Sequence, residues 1–322
     1  MDINATPLVS IICLTYNHEP YIRECLDGFV MQKTDFTFEV IIHDDASTDG
    51  TTDIIKNYSA KYPDIIKPII RTENQYSKHH DFSIIMKSCS ERCSGKYIAF
   101  CEGDDYWTDP YKLQKQVDFL ESHPDYGLCY TAVKRFEQSK NIFINGWNGK
   151  NELFHDLLTS NTIPTLTVIL RADLLKYYFV DIQPESKEWL MGDYPIWLYA
   201  SIMSKIKYIE DSTGVYRILP NSASHTNDKL SSIRFGLNYR KIANYFAIEY
   251  GNDSEKVLTL NNLNWIKFIQ YCFVKNDSNA RKIAYFNLWS KQNSLLKNLF
   301  FLIGLLSPKI VEKLYGYKLS IK

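Results

Sequence analysis

The sequence lacks the features of several large classes of protein. No apolar run approaches the roughly 20 residues that a helix needs to span a bilayer, and the first residues show no signal-peptide pattern. The seven cysteines are scattered and odd in number, which favours reduced thiols in a cytoplasmic protein over a disulfide framework. The 37 basic and 37 acidic residues cancel, so we expect no overall positive field and no nucleic-acid partner.

Common motifs of nucleotide-binding proteins and hydrolases are also missing. The chain has no GxxxxGK[ST] phosphate loop, no GxGxxG after its first predicted strand and no GxSxG nucleophile elbow. Any nucleotide chemistry must therefore depend on other residues, and the acidic side chains are the candidates.

Segments of strand and helix length alternate through the first half of the chain. Strands are predicted over residues 8–14, 39–43, 65–70 and 96–101, with a helix after each. This order predicts an α/β fold with a mostly parallel sheet flanked by helices. Shorter strands follow, including a hairpin around Asn145-Gly146 and two separate strands over residues 207–209 and 215–219, and after residue 228 every pattern is helical. We therefore predict a catalytic domain over residues 1–227 and a helical C-terminal region over residues 228–322.

The densest group of acidic residues follows the strand predicted over residues 96–101. Glu102, Asp104 and Asp105 place three carboxylates within four residues, with Gly103 between them for a tight turn. Such carboxylates repel one another unless a cation lies among them, and oxygen ligands suit Mg²⁺ or Mn²⁺ with substrate phosphates. Ligands of open α/β sheets bind at this edge. The alternative is a solvated acidic turn.

Three isolated residues are further candidates. Asp45 could accept a hydrogen bond from a base N–H, or it could form an Asx turn or cap the helix near Thr51, a role that suits Asp49 better. Asp193 begins a predicted helix and could be an N-cap. His225 lies in a serine-rich loop, where it is either a metal ligand or a solvated side chain.

Three spaced segments resemble the family 2 nucleotide-sugar glycosyltransferases, which have the GT-A fold. The segments are Val9–Asn17, Asp44–Thr51 and Glu102–Asp105, and the resemblance extends over roughly residues 7–225. Glycine stands at position 103, where a strict DxD motif ending at Asp105 has its first aspartate. The QxxRW motif of processive synthases is missing, which favours the addition of single sugars.

The resemblance implies a role for each candidate residue. Asp193 would be the catalytic base, and Asp105 would ligate Mn²⁺ or Mg²⁺ on the diphosphate, with His225 as a further metal ligand. Asp45 would hold the N3–H of the base, and Asp104 would approach the ribose or the sugar. The implied donor-binding residues are Thr15, Tyr16, Asn17, Asp45 and Asp104.

The implied activity is inverting transfer of a sugar from a UDP-sugar or dTDP-sugar to a hydroxyl of a glycan or lipid-linked acceptor. Cell-envelope or capsular polysaccharide synthesis is the setting that the resemblance suggests. Two alternatives remain. A non-catalytic sugar-nucleotide binder would need Asp45 and Asp105 but not Asp193. A nucleotidyltransferase could use a related fold, although the expected glycine-rich loop with a lysine is absent.

The C-terminal segment is apolar and then basic. An apolar block lies between Leu295 and Leu306, and residues 281–322 hold eight basic residues against one acidic residue, Glu312. Apolar residues beside positive charge are typical of segments that dock on anionic membranes. We therefore expect peripheral attachment at the inner face of the cytoplasmic membrane. The alternative is a helix that packs on the catalytic domain.

Overall fold

A computed structural model describes residues 6–147, 149–220 and 229–253. The chain divides into two compact units, one of residues 1–225 with 238–261 and one of residues 226–237 with 262–322. The β-sheet lies within the first unit. The predicted boundary between residues 227 and 228 stays a prediction, because most of the C-terminal region lies outside the described residues.

The described strands form one mixed sheet in the order β3-β2-β1-β4-β8-β6-β9-β5, and β7 pairs with β6. The strands are β1 (Val9–Thr15), β2 (Phe38–Asp44), β3 (Ile66–Ile70), β4 (Tyr97–Phe100), β5 (Tyr106–Trp107), β6 (Tyr126–Glu137), β7 (Ile142–Trp147), β8 (Ile169–Arg171) and β9 (Lys205–Ile218). The helices are α1 (Ile22–Val30), α2 (Thr51–Lys61), α3 (Gln75–His79), α4 (Phe82–Ser90), α5 (Lys112–Ser122), α6 (Phe154–Thr159), α7 (Ala172–Ile182), α8 (Tyr194–Met203) and α9 (Lys229–Tyr250).

The four strands β3, β2, β1 and β4 run parallel, as the alternation of strand and helix patterns predicts. In the register, Thr15 pairs with Asp44 and Ile12 pairs with Phe100, so these strands end at one edge of the sheet. The longest remaining ladder, β6 with β9, is also parallel, whereas β8 runs antiparallel to β4 and β6. The predicted α/β class with a mostly parallel mixed sheet is confirmed.

Both faces of β1, β2 and β4 are buried, which explains why their sequences are mostly apolar, whereas β3 at the edge of the sheet has exposed residues. Ile12 and Ile98 pack into one apolar cluster, with residues of α4, α7 and α8. Ile11 and Ala99, their neighbours in sequence, pack into a second cluster with residues of α1, α2 and α5. The sheet is thus held between two helical layers.

Two local predictions were wrong. Asn145-Gly146 lies within β7 rather than at a turn, and the β6–β7 hairpin turns instead over residues 138–141, where Asn141 has a φ of 53°. Asparagine adopts this left-handed conformation more readily than most residues. The strands expected separately over residues 207–209 and 215–219 are parts of one strand, β9.

Within the described ranges, no helix has the length and apolar character to cross a bilayer. The apolar and basic segment after residue 290, and the membrane contact predicted from it, lie outside the described residues.

Candidate active site

The acidic loop, residues Glu102 to Asp105, follows β4 at the carboxyl end of the parallel strands. The N–H of Gly103 donates to the Leu14 carbonyl at 2.9 Å, and the N–H of Asp105 donates to the Glu102 carbonyl at 3.0 Å. A Cβ at position 103 would lie 2.5 Å from Thr15 Oγ1, while the backbone φ there is not positive. Glycine is therefore favoured at this turn by the lack of space, and not by a left-handed backbone conformation.

A buried cation lies against the acidic loop, and sequence reasoning missed it. Arg217, on β9, is 5% exposed. Its backbone N–H donates to Asp105 Oδ1 at 2.7 Å, and its Nε donates to the Asp104 carbonyl at 2.8 Å. The guanidinium also donates to Gln138 Oε1 and pairs with the Glu24 carboxylate. The protein itself thus offsets part of the carboxylate repulsion that led to the metal prediction.

The guanidinium of Arg217 also lies against three aromatic rings. Its central carbon is 4.9 Å from the Tyr21 ring, 5.1 Å from the Tyr106 ring and 5.9 Å from the Phe136 ring. Cation–π contacts of this kind strengthen when they are desolvated. Arg217 therefore holds the acidic loop against β9.

We predict that Arg217→Met lowers the free energy of unfolding by about 2–4 kcal/mol, because the Asp104 carbonyl loses a charged donor and three rings lose a cation. Urea denaturation measures the change. Arg217→Lys is the matched control, since it keeps the charge and should lose less stability. A Met variant within about 0.5 kcal/mol of wild type, the usual range of surface substitutions, would contradict this role.

The carboxylates of the acidic loop differ in their surroundings. Burial raises the pKa of Glu102 to about 8, and the charges of Asp104 and Asp193 raise it in the same direction. Burial and the charges of Asp104 and Glu102 raise the pKa of Asp105, which is 2% exposed, against the opposing bond from Arg217. Asp104 is partly exposed, and no described group donates a hydrogen bond to its carboxylate. Asp104, like the partly exposed Glu102, is thus open to a ligand, whereas Asp105 is not.

The residues present fit a divalent metal in the way that Mg²⁺ is often bound. The part of the chain described here holds no cluster of three or more His, Cys, Asp or Glu side chains that could ligate a metal. Mg²⁺ commonly takes one or two protein carboxylates and completes its shell with waters and substrate phosphates, which the exposed Asp104 allows. His225, predicted as a further ligand, lies outside the described residues.

The residues predicted to surround the base lie at the ends of β1 and β2. Thr15 is 3% exposed and Tyr16 is 44% exposed. Asn17 has a φ of 53°, and its Oδ1 accepts a hydrogen bond from the N–H of Thr48 at 2.8 Å. Its own N–H donates to Ser47 Oγ at 2.9 Å. These bonds join the loop after β1 to the loop after β2, so the two predicted segments do meet.

Asp45 has a role that the sequence did not suggest. It is 5% exposed, and its two oxygens accept from the N–H groups of Gln75 at 2.7 Å and Tyr76 at 2.9 Å, at the start of α3. Asp49 accepts from the N–H of Thr51 at 3.0 Å and so has the turn role expected of it. Contact of Asp45 with a nucleotide base stays a prediction, and both oxygens of Asp45 already accept a hydrogen bond from the backbone of α3.

His18 is a second residue that sequence reasoning missed. Its Nδ1 lies 3.1 Å from Thr15 Oγ1 and would lie 2.9 Å from a Cβ on Gly103. Burial lowers the pKa of His18, against the opposing charges of Asp104, Asp49 and Asp44. Its position three residues after Thr15, directly after the segment Val9–Asn17, was the available signal.

Asp193 is both a helix cap and a partly exposed carboxylate. Its Oδ1 accepts from the N–H of Tyr194 at 2.7 Å, and its Oδ2 accepts from Thr165 Oγ1 at 2.9 Å. Burial raises the pKa of Asp193, while both hydrogen bonds oppose that shift. Thr165, which donates to Asp193, lies in the turn whose Leu166 carbonyl accepts from Trp107 Nε1, and Trp107 is two residues after the acidic loop. The fold thus brings Asp193 to the acidic loop.

The model of the family described as "Glycosyl transferase family 2" matches residues 10–176, more than half of the chain. The chain is therefore a family 2 glycosyltransferase. The match includes β1, β2 and the acidic loop.

Individual relatives agree with this family. The uncharacterized protein Rv1520 of Mycobacterium tuberculosis is 43% identical over 166 residues, 51% of this chain and 46% of the relative. WfaP of Escherichia coli, a UDP-Glc:alpha-D-GlcNAc-diphosphoundecaprenol beta-1,3-glucosyltransferase, is 32% identical over 62% of this chain and 71% of its own length. The chain spans about half the length of the first curated relatives it matches.

Solved structures give the fold. The glycosyltransferase matches residues 1–349 of S. aureus TarS, solved in complex with UDP-GlcNAc, with a TM-score of 0.60 and 18% identity. The match covers 87% of this chain and 81% of the TarS chain. At this identity the comparison concerns architecture alone, and it confirms the predicted GT-A fold.

Proposed function

We propose that this glycosyltransferase moves a single sugar from a UDP-sugar or dTDP-sugar to a hydroxyl group of a glycan or lipid-linked acceptor, with inversion. The observation that carries the proposal is the position of Asp193. A partly exposed carboxylate, able to accept a proton, is held by Thr165, and the turn that carries Thr165 is hydrogen-bonded to Trp107, two residues after an acidic loop suited to a metal-bound diphosphate. Deprotonation of the acceptor and departure of the diphosphate would then each be assisted by residues of the same site.

Asp193 would act as the general base. Its pKa is raised by burial, which makes it a better proton acceptor than an exposed carboxylate. As the acceptor oxygen bonds to the anomeric carbon, the bond from that carbon to the diphosphate breaks on the opposite face. The hydroxyl proton passes to Asp193, and the bonding electrons leave with the diphosphate. One displacement inverts the configuration.

We further propose that Asp104, rather than Asp105, supplies the carboxylate ligand to Mn²⁺ or Mg²⁺. Asp104 is partly exposed, whereas Asp105 is 2% exposed and its Oδ1 already accepts from Arg217. A bound metal would neutralise charge on the leaving diphosphate. Asp105 would then hold the loop in place. The metal ligand proposed from the structure is therefore Asp104, one residue before the ligand expected from the sequence.

The donor base would lie near the joined loops after β1 and β2. The exposed ring of Tyr16 offers an apolar face, and the Asn17 side chain is fixed by its bond to the loop after β2. These contacts support a nucleotide at this end of the sheet. TarS, which shares the fold, was solved with UDP-GlcNAc, and this supports UDP-sugars as the first donors to test.

The test is a donor screen. The purified protein is incubated with UDP-sugars and dTDP-sugars in Mn²⁺, and slow release of the nucleoside diphosphate is measured with and without a glycan acceptor. We expect release with one donor and its abolition by chelation of the metal. Binding of UDP without release from any donor would instead favour a non-catalytic sugar-nucleotide binder.

The proposed acceptor is carried by a membrane lipid, and this would make docking at an anionic leaflet useful. The supporting observations are the WfaP relative, whose name gives a diphosphoundecaprenol-linked acceptor, and the basic and apolar segment after residue 290. In this proposal the enzyme attaches peripherally at the cytoplasmic face and contributes to cell-envelope or capsular polysaccharide synthesis.

We predict that the full chain floats with liposomes that contain anionic lipid and that salt weakens this binding, because part of the attraction is screened charge. A truncation after Ser290 should stay at the bottom of the gradient. Neutral liposomes are the control. Equal flotation of the two proteins would show that the segment after residue 290 does not contribute to membrane binding.

A further inference from the structure

We propose that Thr165 is a positioning residue that holds Asp193 in the orientation needed to accept the acceptor proton. The inference rests on the proposed role of Asp193 as the base. Thr165 Oγ1 donates to Asp193 Oδ2 at 2.9 Å, and the N–H of Tyr194 donates to Asp193 Oδ1 at 2.7 Å. Two donors on two different oxygens fix the plane of the carboxylate. Each oxygen keeps a lone pair for the incoming hydroxyl.

Thr165 can position Asp193 because its own backbone is held. Thr165–Thr167 form a short 3₁₀ turn between α6 and β8. Trp107 Nε1 donates to the Leu166 carbonyl at 2.8 Å, and Gln116 Nε2 donates to the Thr167 carbonyl at 2.9 Å. Two buried side chains from other elements thus fix this turn, so the Thr165 hydroxyl is presented from a rigid support.

The same turn connects the two halves of the site. Trp107 is two residues after the acidic loop and is 2% exposed, and its indole bond to Leu166 ties that loop to the turn carrying Thr165. The direction of the Thr165 bond also matters, since a hydroxyl donor stabilises the ionised form of the carboxylate. Loss of this donor should therefore loosen Asp193 and favour its protonated form.

Within the described ranges, two other titratable groups interact with Asp193. The charge of Asp193 raises the pKa of Glu102 and of Tyr178 on α7. Burial raises the pKa of Tyr178 well above its usual value, so its hydroxyl is neutral throughout the range of interest. Glu102 is present in every variant compared below. A difference between the pH profiles of these variants therefore reports on the Thr165–Asp193 contact.

The experiment compares Thr165→Val with Thr165→Ser and with Thr167→Val. The first variant removes the hydroxyl with little change in shape, and the second retains it. Thr167 is a matched control in the same turn, since its Oγ1 donates to the Pro164 carbonyl at 2.7 Å and not to Asp193. All three are measured with the full chain, by kcat and donor KM between pH 5 and 9.

We expect Thr165→Val to lower the plateau kcat by roughly ten- to a hundred-fold, as small misplacements of catalytic groups do. The acid limb of its kcat profile should move upward by about one pH unit, because a hydrogen bond to a charged group is lost. Donor KM should stay within about twofold. Thr165→Ser and Thr167→Val should keep the wild-type limb. A Val variant with the wild-type limb and plateau would overturn the proposal.

A second measurement does not depend on activity. The carboxyl carbon of Asp193 is followed by NMR in protein labelled with ¹³C-aspartate, and its signal is assigned by its loss in Asp193→Asn. Its titration midpoint should rise in Thr165→Val and not in Thr167→Val. An unchanged midpoint would overturn the positioning role even in an inactive protein. If Asp193 were not the base, a different result would be seen, because Asp193→Asn would then transfer sugar at the wild-type rate.

Discussion

Replacing Asp193 with asparagine should lower the rate of sugar transfer by roughly 10²–10⁴-fold, the usual contribution of a general base. The amide cannot accept the hydroxyl proton, although its oxygen can still accept the N–H of Tyr194, which lies 2.7 Å from Oδ1 in the wild type. Affinity for UDP should stay within about twofold, since no donor-binding role is proposed for this side chain. Initial rates with saturating donor and acceptor measure the effect.

The matched control for this variant is Asp173→Asn. Asp173 is an exposed aspartate in the first turn of α7, so the same chemical change is made at a helix start outside the proposed site. It should transfer sugar at the wild-type rate. Near-normal transfer by Asp193→Asn, with the fold intact, would mean that another group accepts the proton.

The second large effect is expected at Asp104. Asp104→Asn should weaken the Mn²⁺-dependent part of UDP binding by tenfold or more, because a charged oxygen ligand of a hard cation becomes neutral. Isothermal titration with UDP, in Mn²⁺ and then in chelator, separates the metal-dependent part from the rest. Binding in chelator should be the same for the variant and the wild type.

Asp105→Asn is the matched control, because it makes the same change at the next residue. The amide oxygen can still accept the N–H of Arg217, which lies 2.7 Å from Oδ1 in the wild type, so metal-dependent binding should be largely kept. The reverse result, with binding lost in Asp105→Asn and kept in Asp104→Asn, would return the metal ligand to Asp105, the residue that the sequence alone favoured.

The sequence predicts the parallel half of the fold well, because β1, β2 and β4 are mostly apolar segments buried on both faces. It also places the acidic loop at the right edge, since the carboxyl ends of parallel strands meet there. The hairpin was misplaced because Asn145-Gly146 is a strong turn signal, and the pairing of β6 with β7 overrides it.

The partners of the site residues could not be predicted from the sequence. Arg217 meets Asp105 across 112 positions of the chain, and Thr165 meets Asp193 across 28. Neither pair has a local spacing that marks it, and only the packing of β9 and of the 3₁₀ turn brings each together. A carboxylate in a motif can be recognised from sequence, whereas the group that orients it cannot.

The central claim is a single displacement assisted by one base, and the configuration of the product tests it most directly. The new glycosidic linkage is analysed by ¹H NMR after transfer from an α-linked UDP-sugar in the presence of Mn²⁺. The account predicts a β-linked product, with none formed in chelator. An α-linked product would contradict it, because retention requires chemistry that one base at Asp193 does not provide.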